Sequence, residues 1–162
     1  STVVKDNVDS RIVLLKDVRQ DQFVFYTNYN SHKGVQLSQN GNCSLLFPWI
    51  AMERQIIIRG KATKVSKEES EEYFYSRPIS SQIGAWASDQ SSTIKSREEL
   101  DGVLADLTKK FEIEPLVKPP HWGGFAITPL EIEFWQGREN RLHDRILYIK
   151  SQKGWSFQRL QP

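Results

Sequence analysis

Hydrophobic and polar positions change period twice along the chain, from strand-like to helical and back. In the first third, Arg11-Ile12-Val13-Leu14-Leu15-Lys16 is an apolar run bracketed by basic residues. After the polar stretch from Asp17 to Asp21 comes Phe23-Val24-Phe25-Tyr26-Thr27, rich in β formers. The two runs predict a hairpin. Ser31 predicts the N-cap of a short helix ending near Gly41. Cys43 to Phe47 reads as a third strand stopped by Pro48, and Gln55 to Val65 as a long fourth. Gly60 inside that run marks a bulge or a close backbone approach.

The middle is helical. Ser66 with Glu69 forms a capping-box pattern, opening a helix that must stop near Arg77, before Pro78. A short helix is expected over Ser80 to Ala87. Ser96 with Glu99 repeats the cap, and Leu100, Val103, Leu104, Leu107 and Phe111 follow at helical spacing. Pro115, Pro119 and Pro120 mark an extended connection. Four strands close the chain: Phe125 to Thr128, Ile132 to Gln136, His143 to Lys150 and Trp155 to Leu160. Adjacent hairpins around a helical insert, without βαβ alternation, predict an α+β fold: an antiparallel barrel with peripheral helices.

The 162 residues suit one core-bearing domain. Twenty-two basic against 20 acidic residues, interspersed, leave a net charge of +2 and no nucleic-acid footprint. One cysteine, Cys43, excludes an internal disulfide and a cysteine-cluster zinc site. It fits a reducing compartment, and a cytoplasmic location is expected. No apolar run approaches the length of a membrane-spanning helix, so no membrane association is expected.

The sequence lacks a Rossmann glycine fingerprint, a P-loop and a Gly-x-Ser-x-Gly elbow. His32, His121 and His143 are scattered, and no metal site is nominated. Without a glycine-rich loop, phosphate must be held by Arg, Lys and hydroxyl side chains. Tyr73 and Arg77 share a helix face, with Ser81 four residues further on; the same spacing suits a solvated face and a helix cap. Arg11 and Lys16, an odd number apart, point to opposite sides of an extended chain. They would address two ligands, or act as charged gatekeepers of a hydrophobic strand. If Arg141-Leu142-His143-Asp144-Arg145 is extended, Arg141, His143 and Arg145 line one face and Leu142 the other. That face suits an anionic ligand or, as an edge strand, plain solvent. Trp135 is a packing aromatic or the flank of a planar cofactor.

An ordered set of strings carries a family resemblance. The set comprises Arg11 to Lys16, Phe25-Tyr26-Thr27-Asn28, Ser76-Arg77-Pro78, Ser81-Gln82-Ile83-Gly84-Ala85, Gln90-Ser91-Ser92, Trp122-Gly123-Gly124, Glu133-Phe134-Trp135-Gln136-Gly137, Asn140 to Arg145 and the closing Arg159-Leu160-Gln161-Pro162. Together they resemble the pyridoxamine 5'-phosphate oxidase family, also called pyridoxine 5'-phosphate oxidase, from about Arg11 to Pro162. The resemblance implies a split β-barrel homodimer with FMN at the subunit interface. It implies oxidation of pyridoxine or pyridoxamine 5'-phosphate to pyridoxal 5'-phosphate, with electrons passed to O2 to give hydrogen peroxide. A hydride would leave the substrate carbon for the flavin, whose chemistry dominates.

Carried over by position, the FMN residues are Arg11, Ile12, Val13, Leu14, Tyr26, Thr27, His32, Lys33, Gln55, Gln90, Ser91, Trp135 and Arg145. His32 stands where the family commonly has an Arg. Lys16, Tyr73, Arg77 and Ser81 match the ligands of the substrate phosphate, and Arg141, Leu142 and His143 the segment against the pyridine ring. Arg141 and His143 are the expected catalytic pair. By resemblance the flavin ligands form two groups from different subunits, Arg11 to Lys33 and Gln55 to Arg145. The family's N-terminal arm is expected to be absent from this single domain of residues 1–162, with Ser1 to Ser10 matching poorly. The competing reading is a non-catalytic split-barrel protein binding FMN or pyridoxal phosphate, which would need no second phosphate site.

Overall fold

In the computed structural model, which describes residues 1–162, the chain runs β1 (Thr2–Val4), β2 (Asn7–Asp9), β3 (Asp17–Arg19), β4 (Gln22–Asn28), α1 (His32–Gln39), β5 (Asn42–Trp49), β6 (Arg54–Lys64), α2 (Lys67–Ser76), α3 (Ile79–Ala87), α4 (Arg97–Phe111), β7 (Trp122–Gln136), β8 (Asp144–Ser151) and β9 (Gly154–Arg159). The strands pair antiparallel in the order β2-β1-β5-β6-β7-β4-β3, with β8 on β7 and β9 on β8. This is the antiparallel barrel with peripheral helices that the adjacent hairpins predicted, in the split form that the resemblance implies.

β7 is one strand of 15 residues where the sequence suggested two. Its first half pairs with β4, from Trp122 opposite Asn28 to Ile127 opposite Phe23. Its second half pairs with β8, from Glu131 to Gln136. β6 lies along the other edge and carries the strand through. The register slips between Arg59 and Gly60, where Pro129 and Glu131 are the successive partners and Leu130 is extra. A bulge there tolerates a proline that cannot donate to the ladder. Gly60 is required opposite it, because a Cβ would stand 2.3 Å from the Thr128 carbonyl oxygen.

The core forms where β4, β6 and β7 meet α1: Phe25, Leu37, Ala62, Phe125 and Ile127, with Val13, Phe23, Tyr29, Cys43 and Leu45 packed around them. Phe25 stacks on Phe125 at 5.9 Å and Tyr29 meets the same ring edge-on at 5.4 Å. Each buried large side chain contributes about 1.5–3 kcal/mol of apolar transfer.

Several expectations shift. Arg11 to Lys16 is not a strand: it has no ladder partner and joins β2 to β3 as an extended connection. The hairpin is made instead by β3 and β4 around Gln20 and Asp21, both with positive φ. Primed turns of this kind match the strand twist, so polar turn residues outcompeted the apolar run for that position. The apolar run keeps its alternation nonetheless. Val13 faces the core while Ile12, at 95% exposure, and Leu14 face outward. Pro48 does not end β5, which continues to Trp49 opposite Arg54. The helices fall as expected: Ser31, Ser66 and Ser96 accept from the backbone N–H of Gly34, Glu69 and Glu99. No helix is long and apolar enough to cross a membrane.

Candidate functional site

The expected ligands gather in two places, at opposite ends of β7. At its start, Trp122 underlies an aromatic stack. Tyr26 lies parallel to Trp122 at 5.5 Å and Tyr73 parallel to Tyr26 at 3.9 Å. The Arg77 guanidinium sits over the Trp122 ring at 4.6 Å, and Lys16 approaches the Tyr73 ring at 6.0 Å. Gly123 and Gly124 allow the rings this close: a Cβ on Gly124 would meet the Tyr26 ring at 2.8 Å. The side chain of Glu69 accepts from the Tyr26 hydroxyl at 3.3 Å and pairs with Arg19, so the capping-box residue serves the stack rather than the Ser66 N–H. Burial is the first cause, and Glu69 the second, that pushes the Tyr26 hydroxyl well above its usual pKa.

Arg77 is the C-cap of α2, and Gln82 donates to its carbonyl at 2.8 Å. Its Nη1 is buried and has no hydrogen-bond partner. Burial depresses the guanidinium pKa, partly opposed by Tyr73. Ser81 follows on the first turn of α3, half-buried. Lys16, Tyr73, Arg77 and Ser81 thus lie around one end of the α2–α3 corner.

A second basic cluster adjoins this one through β4. Lys33 donates to Thr27 Oγ1 at 3.1 Å, Ser31 Oγ at 3.2 Å and Gln90 Oε1 at 2.9 Å. Ser91 Oγ accepts from the His32 backbone N–H at 3.2 Å. All three Lys33 partners are neutral oxygens. Desolvation first, then the like charge of Arg11, lowers the Lys33 pKa. Arg11 is held by Thr2 Oγ1 at 2.5 Å and by Asp9 at 3.7 Å. With Arg11, Ile12 and Val13, Lys33 lines a groove of about 610 Å³ that also takes in Phe47 and Pro48. This corrects the division by chain order: Gln90 and Ser91 fold back onto Thr27 and Lys33 and belong with the first group.

The far end of β7 carries the other set. Gln55, Trp135 and Arg145 are direct register partners across β6, β7 and β8, so their side chains share a face. His143 lies against Trp135, ring centroids 4.6 Å apart. Its Nδ1 accepts from the Arg138 N–H at 3.2 Å, leaving Nε2 to carry the imidazole proton. Arg141 to His143 is not extended. Asn140 and Arg141 have positive φ in a 3₁₀ turn, and β8 begins only at Asp144. The alternation argument for Arg141, His143 and Arg145 therefore fails. Arg141 and Leu142 stand exposed on the turn. Within one chain neither Arg141 nor His143 touches the Trp122 cluster.

Sequence reasoning passed over Trp122, Glu69 and Glu133 as site residues. Each lay inside a string already singled out, as a motif residue or a helix cap, but only tertiary contacts show what it holds.

The fold is a split barrel that carries two sets of phosphate-type donors. Residues 1–108 match the family described as pyridoxamine 5'-phosphate oxidase, and residues 122–162 its C-terminal dimerisation region. The pyridoxine/pyridoxamine 5'-phosphate oxidase of Gloeothece citriformis is 53% identical over 165 residues, covering 100% of this chain and 77% of that protein. The enzyme of the same description from Rubrobacter xylanophilus is 52% identical over 153 residues, 94% of this chain and 70% of that one. Among solved structures, PhzG from Burkholderia lata, in complex with tetrahydrophenazine-1-carboxylic acid, superposes with a TM-score of 0.91 at 30% identity. That superposition covers 99% of this chain and 79% of that one. A pyridoxamine 5'-phosphate oxidase-related protein from Nostoc punctiforme, 16% identical, shares the fold with a TM-score of 0.74 over 94% of this chain and 80% of that one. The chain belongs to the pyridoxine/pyridoxamine 5'-phosphate oxidase family. The match begins at residue 1, so Ser1 to Ser10 are part of the shared domain.

Proposed function

We propose that this protein is the FMN-dependent oxidase that converts pyridoxamine or pyridoxine 5'-phosphate to pyridoxal 5'-phosphate, with O2 as acceptor and hydrogen peroxide as product. The observation that carries the reading is Arg77. A buried guanidinium nitrogen without an acceptor costs about 1–3 kcal/mol, and a substrate phosphate supplies that acceptor. Lys16, 6.0 Å from the Tyr73 ring, adds charge, and the Tyr73 and Ser81 hydroxyls complete the donor set. A protein that only bound FMN would need no such site.

The cofactor residues fit as well. Lys33, half-buried beside Arg11 and bonded only to neutral oxygens, is an uncompensated cation suited to the FMN phosphate. Thr27, Gln90 and Ser91 surround it, with Ile12, Val13, Leu14, Tyr26 and His32 alongside. Bound FMN supplies the hydride acceptor, which no side chain of this protein can be. Gln55, Trp135 and Arg145 hold the cofactor from the far end of β7. Arg141, Leu142 and His143 meet the pyridine ring, His143 presenting its Nε2–H as a donor. The two ends are separated by about 40 Å of strand at ~3.3 Å per residue, well beyond the reach of one pyridine phosphate. A second chain brings the ends together, so FMN lies at a homodimer interface. The exposed Ile12, Leu14, Leu46 and Ile50 supply apolar surface for that contact. A cytoplasmic location accords with the single, half-buried thiol.

The purified protein is expected to be yellow and to bleach under anaerobic pyridoxine 5'-phosphate. Air should then restore the colour with release of hydrogen peroxide. A yellow protein that stays yellow would be the non-catalytic binding protein instead.

A further inference from the structure

Glu133 is the one acidic side chain at the far end of β7 that is almost wholly buried, with 1% of its surface exposed. An ionised carboxylate in such a place needs partners, and two strands provide them. Glu133 Oε1 accepts from Arg145 Nε at 2.7 Å, and Oε2 lies 3.6 Å from Arg59 Nη2. Arg59 is shared with Glu131 at 3.3 Å, whereas Arg145 has no other acidic partner. Oε2 itself has no hydrogen bond. The carboxylate is therefore spent chiefly on fixing Arg145.

Arg145 is gripped a second time. Its Nη1 donates to the Gln161 carbonyl oxygen at 3.1 Å, while its own carbonyl accepts from the Leu160 N–H at 2.9 Å. Two bonds on different nitrogens set both the position and the plane of a guanidinium, and leave the remaining donors free. Trp135, directly opposite Arg145 in the ladder, stands next to Glu133 on the same face.

We infer that Glu133 is a positioning residue that, with the Gln161 carbonyl, holds the Arg145 guanidinium in the single orientation in which it meets FMN. The carboxylate does not touch the cofactor; it acts through Arg145. Arg145 on an unsupported surface would sample many rotamers, and the ordering cost would fall on cofactor binding. The inference rests on the reading of Arg145 as an FMN ligand.

Titration of FMN into the apoprotein, followed by quenching of flavin fluorescence, measures Kd without turnover. Arg145→Gln and Glu133→Gln are each expected to raise Kd about tenfold, the low end of what losing a ligand's outer partner costs. The double variant should be no weaker than Arg145→Gln alone, because the second change has nothing left to act through. Glu133→Asp keeps the charge, withdraws it from Nε and should also weaken binding, which provides the reading if the neutral variant fails to fold. Glu133 variants that bind FMN within twofold of the parent, while Arg145→Gln does not, would overturn the inference. So would effects that multiply in the double variant, as a general loss of structure gives. If Arg145→Gln itself binds FMN normally, the ligand assignment falls and the inference with it.

Discussion

Arg11 and Lys16 leave one extended segment in opposite directions and serve different clusters. Arg11 reaches Thr2 and Asp9 beside Lys33, whereas Lys16 lies 6.0 Å from the Tyr73 ring. The five-residue step is odd, so even without ladder partners the extended chain turns the two side chains apart. Two phosphates, one on the cofactor and one on the substrate, can be addressed from a single stretch of chain.

That separation makes the two sites independently breakable. If Arg77 holds the substrate phosphate, as proposed, Arg77→Ala removes a charge-assisted bond worth roughly 1.5–3 kcal/mol. KM for the phosphorylated substrate should rise about 10- to 150-fold while flavin content is unchanged. Lys33→Ala should do the opposite, releasing FMN during gel filtration before substrate affinity suffers. Loss of FMN in the Arg77 variant would show that the two phosphates had been exchanged in the assignment.

Arg141 and His143 should matter after binding. On the proposed assignment they face the reacting end of the substrate, so Arg141→Ala or His143→Ala should slow anaerobic flavin reduction at saturating substrate. Stopped-flow absorbance of the flavin reads this directly. An unchanged limiting rate in Arg141→Ala would remove it from the catalytic pair.

If FMN lies between subunits, its binding and dimerisation are linked reciprocally. Dilution should release flavin and dissociate subunits over the same concentration range, and added FMN should shift both back. Sedimentation and flavin fluorescence across one dilution series test this. A monomer with full FMN occupancy would refute the shared site.

Cys43 gives a pH signature. Burial in the core pushes its thiol up to about 11, with Gly60 O 3.7 Å from the sulfur. The unfolded thiol titrates near ~8.5, so between there and about 11 the native state holds the proton more firmly. Stability is therefore lost as pH rises through that window, and Cys43→Ala should lose less than the parent. Native Cys43 should also react with a thiol reagent at pH 8 about a hundredfold more slowly than the urea-unfolded chain. Equal labelling rates would show that the thiol is not protected.

The sequence by itself determined the local elements. Ser31, Ser66 and Ser96 marked helix starts because an N-cap is decided by a few neighbouring residues. Gly60 announced its bulge because no Cβ fits there, and the ordered strings around Arg77, Gln90 and Arg141 identified the family. Where local rules met long-range pairing, tertiary structure decided. Arg11 to Lys16 has strand composition yet found no ladder, because β4 took the turn residues Gln20 and Asp21 and the strand β3 as its hairpin partner. The pattern split β7 into two strands between Thr128 and Ile132, but β6 runs alongside and bridges the gap. Gln90 and Ser91 lie far from Lys33 in sequence, and only the folded helical insert returns them to it. Glu133 stands in a family string, but nothing local says what it holds. Its role appears only when Arg145 from the next strand and the Gln161 carbonyl from the chain's end arrive at the same guanidinium, since side-chain partnership across strands depends on register, and register is a property of the folded sheet.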